Sequence, residues 1–237
     1  MSAPAAESPA PVPRARAWTV GQVEWRRRLA TLRVFQRALS QCFGARACVW
    51  LARGAGISFV LAALYTAGIA PDALDAVLRL ALLTLSGCAG LAAFSAAGPA
   101  PERILESGRG LLESRALSLA ALQAGRPWAV ALWILRYIGF VALVVVIACL
   151  ALAREPQGVA YVLGLAGGAA AYVVLLAGGL ALLAQLCHVL GRGRGQTLFL
   201  GLVFLPQLLA PAWPELPTIP ACYGSVLDRC LGLRVRS

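Results

Sequence analysis

Charged side chains that could bind a partner or take part in a reaction are concentrated in one stretch, residues 98–127, which we call the charged segment. It carries seven of them: Glu102, Arg103, Glu106, Arg109, Glu113, Arg115 and Arg126. The sequence shows no Ser/His/Asp arrangement, no set of metal ligands and no glycine-rich phosphate-binding loop. The pattern therefore predicts a protein that contacts a partner and is not an enzyme, with no metal and no cofactor of its own.

The elements around the charged segment are long apolar runs. Hydrophobic residues make up 60% of the chain and charged residues only 13%, which is typical of a membrane protein rather than a soluble domain. We expect an all-α polytopic membrane protein with five to six transmembrane or re-entrant helices. The predicted transmembrane domain is 48–213, with spans at about 49–69, 77–97, 128–151, 159–189 and 197–213.

The N-terminal region divides into two parts. Residues 1–17 are rich in Pro and Ala and are predicted to be disordered. Residues 18–47 are predicted to form one amphipathic helix that lies flat on an anionic membrane surface, although packing on a soluble partner would produce the same pattern. The apolar side of this helix carries Trp25, Leu29, Leu32, Phe35, Leu39 and Phe43, and the basic side carries Arg26, Arg27, Arg28, Arg33 and Arg37.

Four ionisable side chains fall inside or near the ends of the predicted spans. Arg53 and Arg79 lie where a long side chain can reach the headgroups. Arg136 lies two turns into its span, where an unpaired charge costs about 2.5–3.5 kcal/mol at mid-bilayer; an interfacial position or a paired charge would avoid that cost. His188 is the only histidine of the chain. Without a visible carboxylate partner, it is predicted to be an interfacial side chain rather than a proton relay.

Small residues and cysteines suggest further contacts. The long fourth span is predicted to be a centre of helix packing, because small residues let backbones approach closely in lipid; the glycines concerned are Gly164, Gly168, Gly178 and Gly179. The fifth segment contains Pro206 and either spans or re-enters the membrane. In the C-terminal tail, 214–237, one short amphipathic helix is expected, and Cys222 and Cys230 could form a disulfide if the tail faces an oxidising compartment.

The distribution of arginine predicts the orientation. All 21 basic residues are Arg, which favours a bacterial origin: nine precede or include Arg53, four lie in the charged segment and two lie at 191–195. The loops at 70–76 and 152–158 hold only Arg154. By the positive-inside rule, the N-terminus and the charged segment should be cytoplasmic, in a bacterial inner membrane. Basic residues placed at span ends also argue against nucleic-acid binding.

The order of these elements resembles the ABC-2 type permease family, the membrane subunits of ATP-binding-cassette exporters. That family has a basic amphipathic N-terminal helix, two spans, a charged cytoplasmic segment and further spans with tight outer loops. Within the charged segment, the features similar to the family's motif are Glu102 and Glu106, the run Gly110-Leu111-Leu112-Glu113, Ser118, and Gly125-Arg126. The likeness covers about residues 19–210 in layout and about 102–126 in motif.

The resemblance implies a permease subunit without catalysis of its own, driven by a separate ABC ATPase subunit that binds ATP. It also implies a second permease copy or paralogue as partner, besides membrane lipids. In that case the residues coupling the spans to the ATPase would be Glu102, Glu106, Arg109, Glu113 and Arg115. The alternative is a membrane scaffold that transports nothing and uses the charged segment to anchor a cytoplasmic partner.

Overall fold

The computed structural model describes residues 20–70, 73–107, 119–153, 159–209, 211 and 218–232. These residues form helices and no strand, so the protein is an all-α polytopic membrane protein, as predicted. The helices are α1 (Val20–Gln41), α2 (Phe43–Ile69), α3 (Leu74–Ala97), α4 (Ala100–Ser107), α5 (Leu119–Ile134, a π-helical turn Leu135–Gly139, and Phe140–Leu152), α6 (Val159–Gly191), α7 (Gly195–Leu209) and α8 (Ile219–Cys230).

Four helices are long and apolar enough to cross a membrane: α2, α3, α5 from Gln123 onward and α6 from Val162 onward. They match the first four predicted spans, but α5 begins nine residues before the predicted start of the third span and passes through Pro127 without ending. The fifth predicted span corresponds to α7, which has 15 residues. At 1.5 Å per residue α7 is about 22 Å long, which is short for a hydrocarbon layer of about 30 Å.

The four long helices form a closed ring in the order α2, α3, α6, α5, in which each helix packs against the next and α5 returns to α2. Its interior is filled by aliphatic and small side chains, among them Leu78, Leu82, Ile138, Val145 and Leu176. Alanines line the contact between α2 and α3, where Ala52, Ala89 and Ala92 are fully buried. Because alanine is small, the two backbones can approach closely, which is how helices gain contact in lipid.

The chain runs up and down this ring; α1 and α4 lie at one end, whereas α7 and α8 pack along the outside of α6 and α3. One end holds α1, the start of α2, the end of α3, α4, the start of α5 and the end of α6; we call it the α1 end. Ala70, Ala73 and Ala153 lie at the opposite end. At the α1 end, α1 packs against α5 and α4.

The predicted single helix over 18–47 is wrong. The chain breaks at Cys42, whose backbone is extended, and α2 begins at Phe43. As a result Phe43 does not continue the apolar side of α1 and is 87% exposed. Phe35, Ala38 and Leu39 are buried in the core, Leu29 and Leu32 are half-buried, and Arg28 is exposed. The side chains of Trp25, Arg26 and Arg27 lie outside the described residues, so α1 as an interfacial helix stays a prediction.

The last helix, α8, returns along α6 toward the end opposite α1. The Tyr223 hydroxyl lies beside Gly179, and the backbone of Cys230 lies against Gly168, which is eleven residues nearer the start of α6. Burial raises the pKa of Tyr223 to about 12. Side chains at Gly164 and Gly178 would meet nothing within 4 Å. The predicted packing glycines therefore divide into two that receive α8 and two that face open space.

The predicted disulfide between Cys222 and Cys230 is wrong. Both cysteines are free and both lie on α8, eight residues apart. Eight residues of α-helix separate two Cα atoms by about 12 Å, and a disulfide needs a Cα separation below about 7 Å. The helix itself, which begins at Ile219 with Thr218 as its N-cap, agrees with the short tail helix that the sequence predicted.

Candidate functional site

Glu102 is the centre of a group of three ionisable side chains at the α1 end. Its Oε1 lies 3.0 Å from Nη1 of Arg126 on α5 and 2.9 Å from Nε2 of His188 on α6. Glu102 itself belongs to the first turn of α4. We call Glu102, Arg126 and His188 the Glu102 cluster. A single carboxylate thus connects three helices that are far apart in sequence.

Arg126 is the most deeply buried charged residue in the described chain, with 1% of its surface exposed. Its guanidinium donates to the backbone carbonyls of Ala96 and Gly98, the latter at 3.1 Å. The same group lies 5.5 Å from the ring centre of Phe35 on α1. A buried arginine needs a counter-charge and hydrogen-bond acceptors to offset its lost hydration, and these contacts supply both.

Local sequence explains how the three side chains meet. Gly98 has an extended backbone that ends α3, and α4 begins two residues later at Ala100. Because α5 extends before Trp128, Arg126 lies within a helix instead of a loop. His188 occupies the last turn of α6, at the same end of the ring.

Hydrogen bonds fasten α1 beside this cluster. The Trp133 indole Nε1 donates to Ser40 Oγ at 2.9 Å, and Gln36 Nε2 donates to the carbonyl of Ala129 at 3.4 Å. Both bonds join α1 to α5. At the end of α1, burial raises the pKa of the Cys42 thiol even though Arg126 acts in the opposite direction, so this thiol stays neutral and unreactive.

The outer side of α4 faces away from the cluster. Pro101 and Leu105 are buried against the protein, while Arg103, Glu106 and Ser107 are exposed. Of the predicted partner-binding residues, Glu106 is therefore accessible and Glu102 is mainly engaged inside the protein. Arg109, Glu113 and Arg115 lie outside the described residues.

The prediction that His188 lacks a carboxylate partner is wrong, because Glu102 is 86 residues away in sequence and adjacent in space. The burial of Arg126 was also missed. The sequence signal for it was weak, because an arginine directly before a proline usually indicates the end of a loop. In the structure, however, α5 continues through Pro127.

The remaining charges of the spans occupy distinct surroundings. Arg79, near the start of α3, makes two hydrogen bonds to Asp228 of α8 at 2.7 and 2.8 Å. Arg53 and Arg136 are exposed and lie over the rings of Trp50 and Tyr137 at 5.9 and 5.7 Å. The Arg79 pair lies at the end opposite α1 and holds α8 there.

Among the described residues, no group of three or more His, Cys, Asp or Glu side chains is arranged to hold a metal ion. No protein-family model, curated protein or solved structure matches the chain. The fold and site define a membrane protein with a charged short helix at one end of a four-helix ring.

Proposed function

We propose that the chain is the permease subunit of an ABC-2 type transporter, acting as an exporter and driven by a separate ATPase subunit. The observation that carries the proposal is the position of α4. This short helix stands between the second and third spans, and Glu102 connects it to both α5 and α6. Its accessible side carries Arg103 and Glu106, which are suited to polar contact with a soluble protein.

In this proposal α4 transmits motion. An ATPase that binds the exposed side of α4 would displace the helix as a unit when it closes on ATP. Because Arg126 is buried and paired, separating it from Glu102 is costly, so α5 would move with α4 instead of detaching from it. His188 would extend the same coupling to α6. The chain itself would bind no ATP and catalyse no reaction.

The surroundings support the proposed orientation and assembly. The α1 end carries Arg28, Arg33 and Arg37 of α1 and the described part of the charged segment, and by the positive-inside rule it would face the cytoplasm of a bacterial inner membrane. The ring interior is packed with apolar side chains. A passage for substrate would therefore form between this chain and a second permease copy or paralogue, not through a single ring.

The same packed interior favours one alternative, a membrane scaffold that anchors a cytoplasmic partner and transports nothing. Both functions use the exposed side of α4, so loss of partner binding does not separate them. The partner's ATP hydrolysis does separate them. If the chain is a permease, the hydrolysis rate of the bound ATPase should change when the permease is present, whereas a scaffold needs only to hold its partner.

The test is to purify the protein in mild detergent from its own host, identify the bound proteins by mass spectrometry, and measure ATP hydrolysis. We expect an ABC ATPase whose hydrolysis rate changes when the permease is present, and whose binding is lost in Arg103→Glu with Glu106→Arg. Arg229→Glu is the matched control, since Arg229 is an exposed arginine of a short helix at the opposite end. Recovery of envelope proteins without an ATPase would overturn the permease proposal in favour of the scaffold.

A further inference from the structure

A groove of about 410 Å³ runs between α2 and α5 on the outside of the ring. Its walls are apolar apart from Arg53, and they include Gly56, Ile57, Val60, Leu61, Phe140 and Val144. The volume falls within the range of roughly 300–1,000 Å³ that is typical of small-molecule sites. Gly56 packs against Val141, and this contact forms the floor where the two helices approach.

Arg53 lines the groove at one end, and Arg136 precedes the wall residue Phe140 on the other helix. Arg53 is four residues before Ile57, about one α-helical turn, and Arg136 is four residues before Phe140 across the π-helical turn Leu135–Gly139, so each lies roughly one turn above a wall residue. Both α2 and α5 run away from the α1 end. The contact of Gly56 with Val141 aligns the two helices in height, so along the helix axes Arg53 and Arg136 differ in height by less than about one turn.

Both arginines lie close enough to the lipid headgroups for their side chains to reach them. About 20 residues cross the hydrocarbon layer, and counting that length back from Ile69 and from Leu152 reaches Trp50 and Trp133. Arg53 and Arg136 each follow these tryptophans by three residues, or about 4.5 Å. A long side chain spans that distance, so both guanidinium groups reach the interface of the leaflet at the α1 end.

Neither arginine is paired with a carboxylate of the described chain. The ion pairs found there involve Arg79, Arg126 and His188. The contacts of Arg53 and Arg136 are with the rings of Trp50 and Tyr137. A charge beside hydrocarbon is costly without a counter-ion, and the apolar groove below adds a site for an acyl chain. Two cations above one apolar groove are complementary to an anionic amphiphile.

We propose that this groove binds one anionic phospholipid of the bilayer, with its phosphate between Arg53 and Arg136 and one acyl chain along Ile57, Val60 and Val144. Basic sites between helices on the side of the membrane rich in anionic lipid bind such headgroups. The lipid joins α2 to α5 from outside the ring. This role is independent of the proposed transport function, because it requires neither an ATPase nor a substrate.

The test is native mass spectrometry of the full-length protein in detergent, titrated with phosphatidylglycerol and with phosphatidylcholine of the same acyl chains. We expect the first phosphatidylglycerol to bind more tightly than phosphatidylcholine. The double variant Arg53→Gln with Arg136→Gln should weaken phosphatidylglycerol binding by roughly thirtyfold, the effect of losing two headgroup contacts. Arg53→Lys with Arg136→Lys keeps both charges and should keep the preference.

The matched control is Arg33→Gln with Arg37→Gln, which removes the same net charge from the exposed side of α1. It should leave the preference intact; equal losses in both double variants would reveal nonspecific charge attraction and overturn the site. Val144→Trp fills the groove and should weaken both lipids, and unchanged binding in this variant would also overturn the proposal. A changed oligomeric state in Val144→Trp with unchanged lipid binding would assign the groove to a second copy of the chain instead.

Discussion

Arg126 relies on a single carboxylate within the described chain. Its other acceptors are backbone carbonyls, and its Nε has no hydrogen-bond partner among the described residues. Among the described residues, Glu102 therefore supplies the only neighbouring negative charge, while it keeps 27% of its side-chain surface exposed and also accepts from His188. Among the individual residues of α4, Glu102 therefore contributes most to the stability of the α1 end.

Replacing Glu102 by Gln should destabilise the protein. The change leaves Arg126 buried without a counter-charge, at a cost of about 3 kcal/mol, which lowers the apparent Tm by roughly 6–12 °C for a chain of this size. Tryptophan fluorescence of the detergent-solubilised protein during heating measures it. Glu106→Gln, one turn later on the exposed side of α4, should change the Tm little. Equal shifts in the two variants would contradict the importance of the buried ion pair.

At the scale of the element, α8 is held on α6 by close backbone contact. Ala at Gly168 would place its Cβ against the backbone of Cys230, which cannot move aside like a flexible side chain. We expect Gly168→Ala to displace α8, and trypsin to cleave after Arg229 several-fold faster. Gly164→Ala is the matched control, because nothing lies within 4 Å of that position and alanine favours a helix over glycine by about 1 kcal/mol. Similar cleavage rates in both variants would contradict this contact.

The apolar side of α1 makes a second prediction for an element. Leu39 is fully buried against the protein, and Leu51 on α2 is exposed on the outside of the ring. Leu39→Ala should lower the free energy of unfolding by about 2–5 kcal/mol because it leaves a cavity, and Leu51→Ala should have a much smaller effect. Unfolding by titration with SDS measures both changes. If the two were equal, the apolar side of α1 would face lipid rather than α5.

The helices were largely predictable from sequence, whereas the site was not. Apolar runs of about 20 residues locate spans because length and hydropathy are local properties of the chain. Neither the π-helical turn Leu135–Gly139 nor the break at Cys42 changes the length or hydropathy of the apolar runs, so no local pattern predicts them. Glu102 meets residues 24 and 86 positions away, and no periodicity relates charges at such separations. The possible disulfide failed because it was inferred from the position of Cys222 and Cys230 in the tail, without considering that one helix holds them eight residues apart.

For the whole molecule, the structure predicts which positions lie on the same side of the membrane. Ser107 ends α4 at the α1 end, and Arg229 lies in the last turn of α8, next to Cys230, whose backbone lies against Gly168 toward the opposite end. In a background with Cys222→Ser and Cys230→Ser, a membrane-impermeant maleimide should label Ser107→Cys and Arg229→Cys from opposite sides of sealed vesicles. Labelling of both positions from one side would show that α7 and α8 together return to the α1 end.

The pair of Arg79 with Asp228 also has a consequence for biosynthesis. The two residues are 149 positions apart, so at roughly 5–20 residues per second Arg79 leaves the ribosome about 7–30 s before its partner. During that interval α5 and α6 emerge and become available to insert beside α2 and α3, and the surface of the ring that receives α8 is still uncovered. Formation of this ion pair is therefore a late step. A ribosome stalled before residue 228 would hold a nascent chain whose ring is nearly complete and whose packing surface for α8 is still exposed.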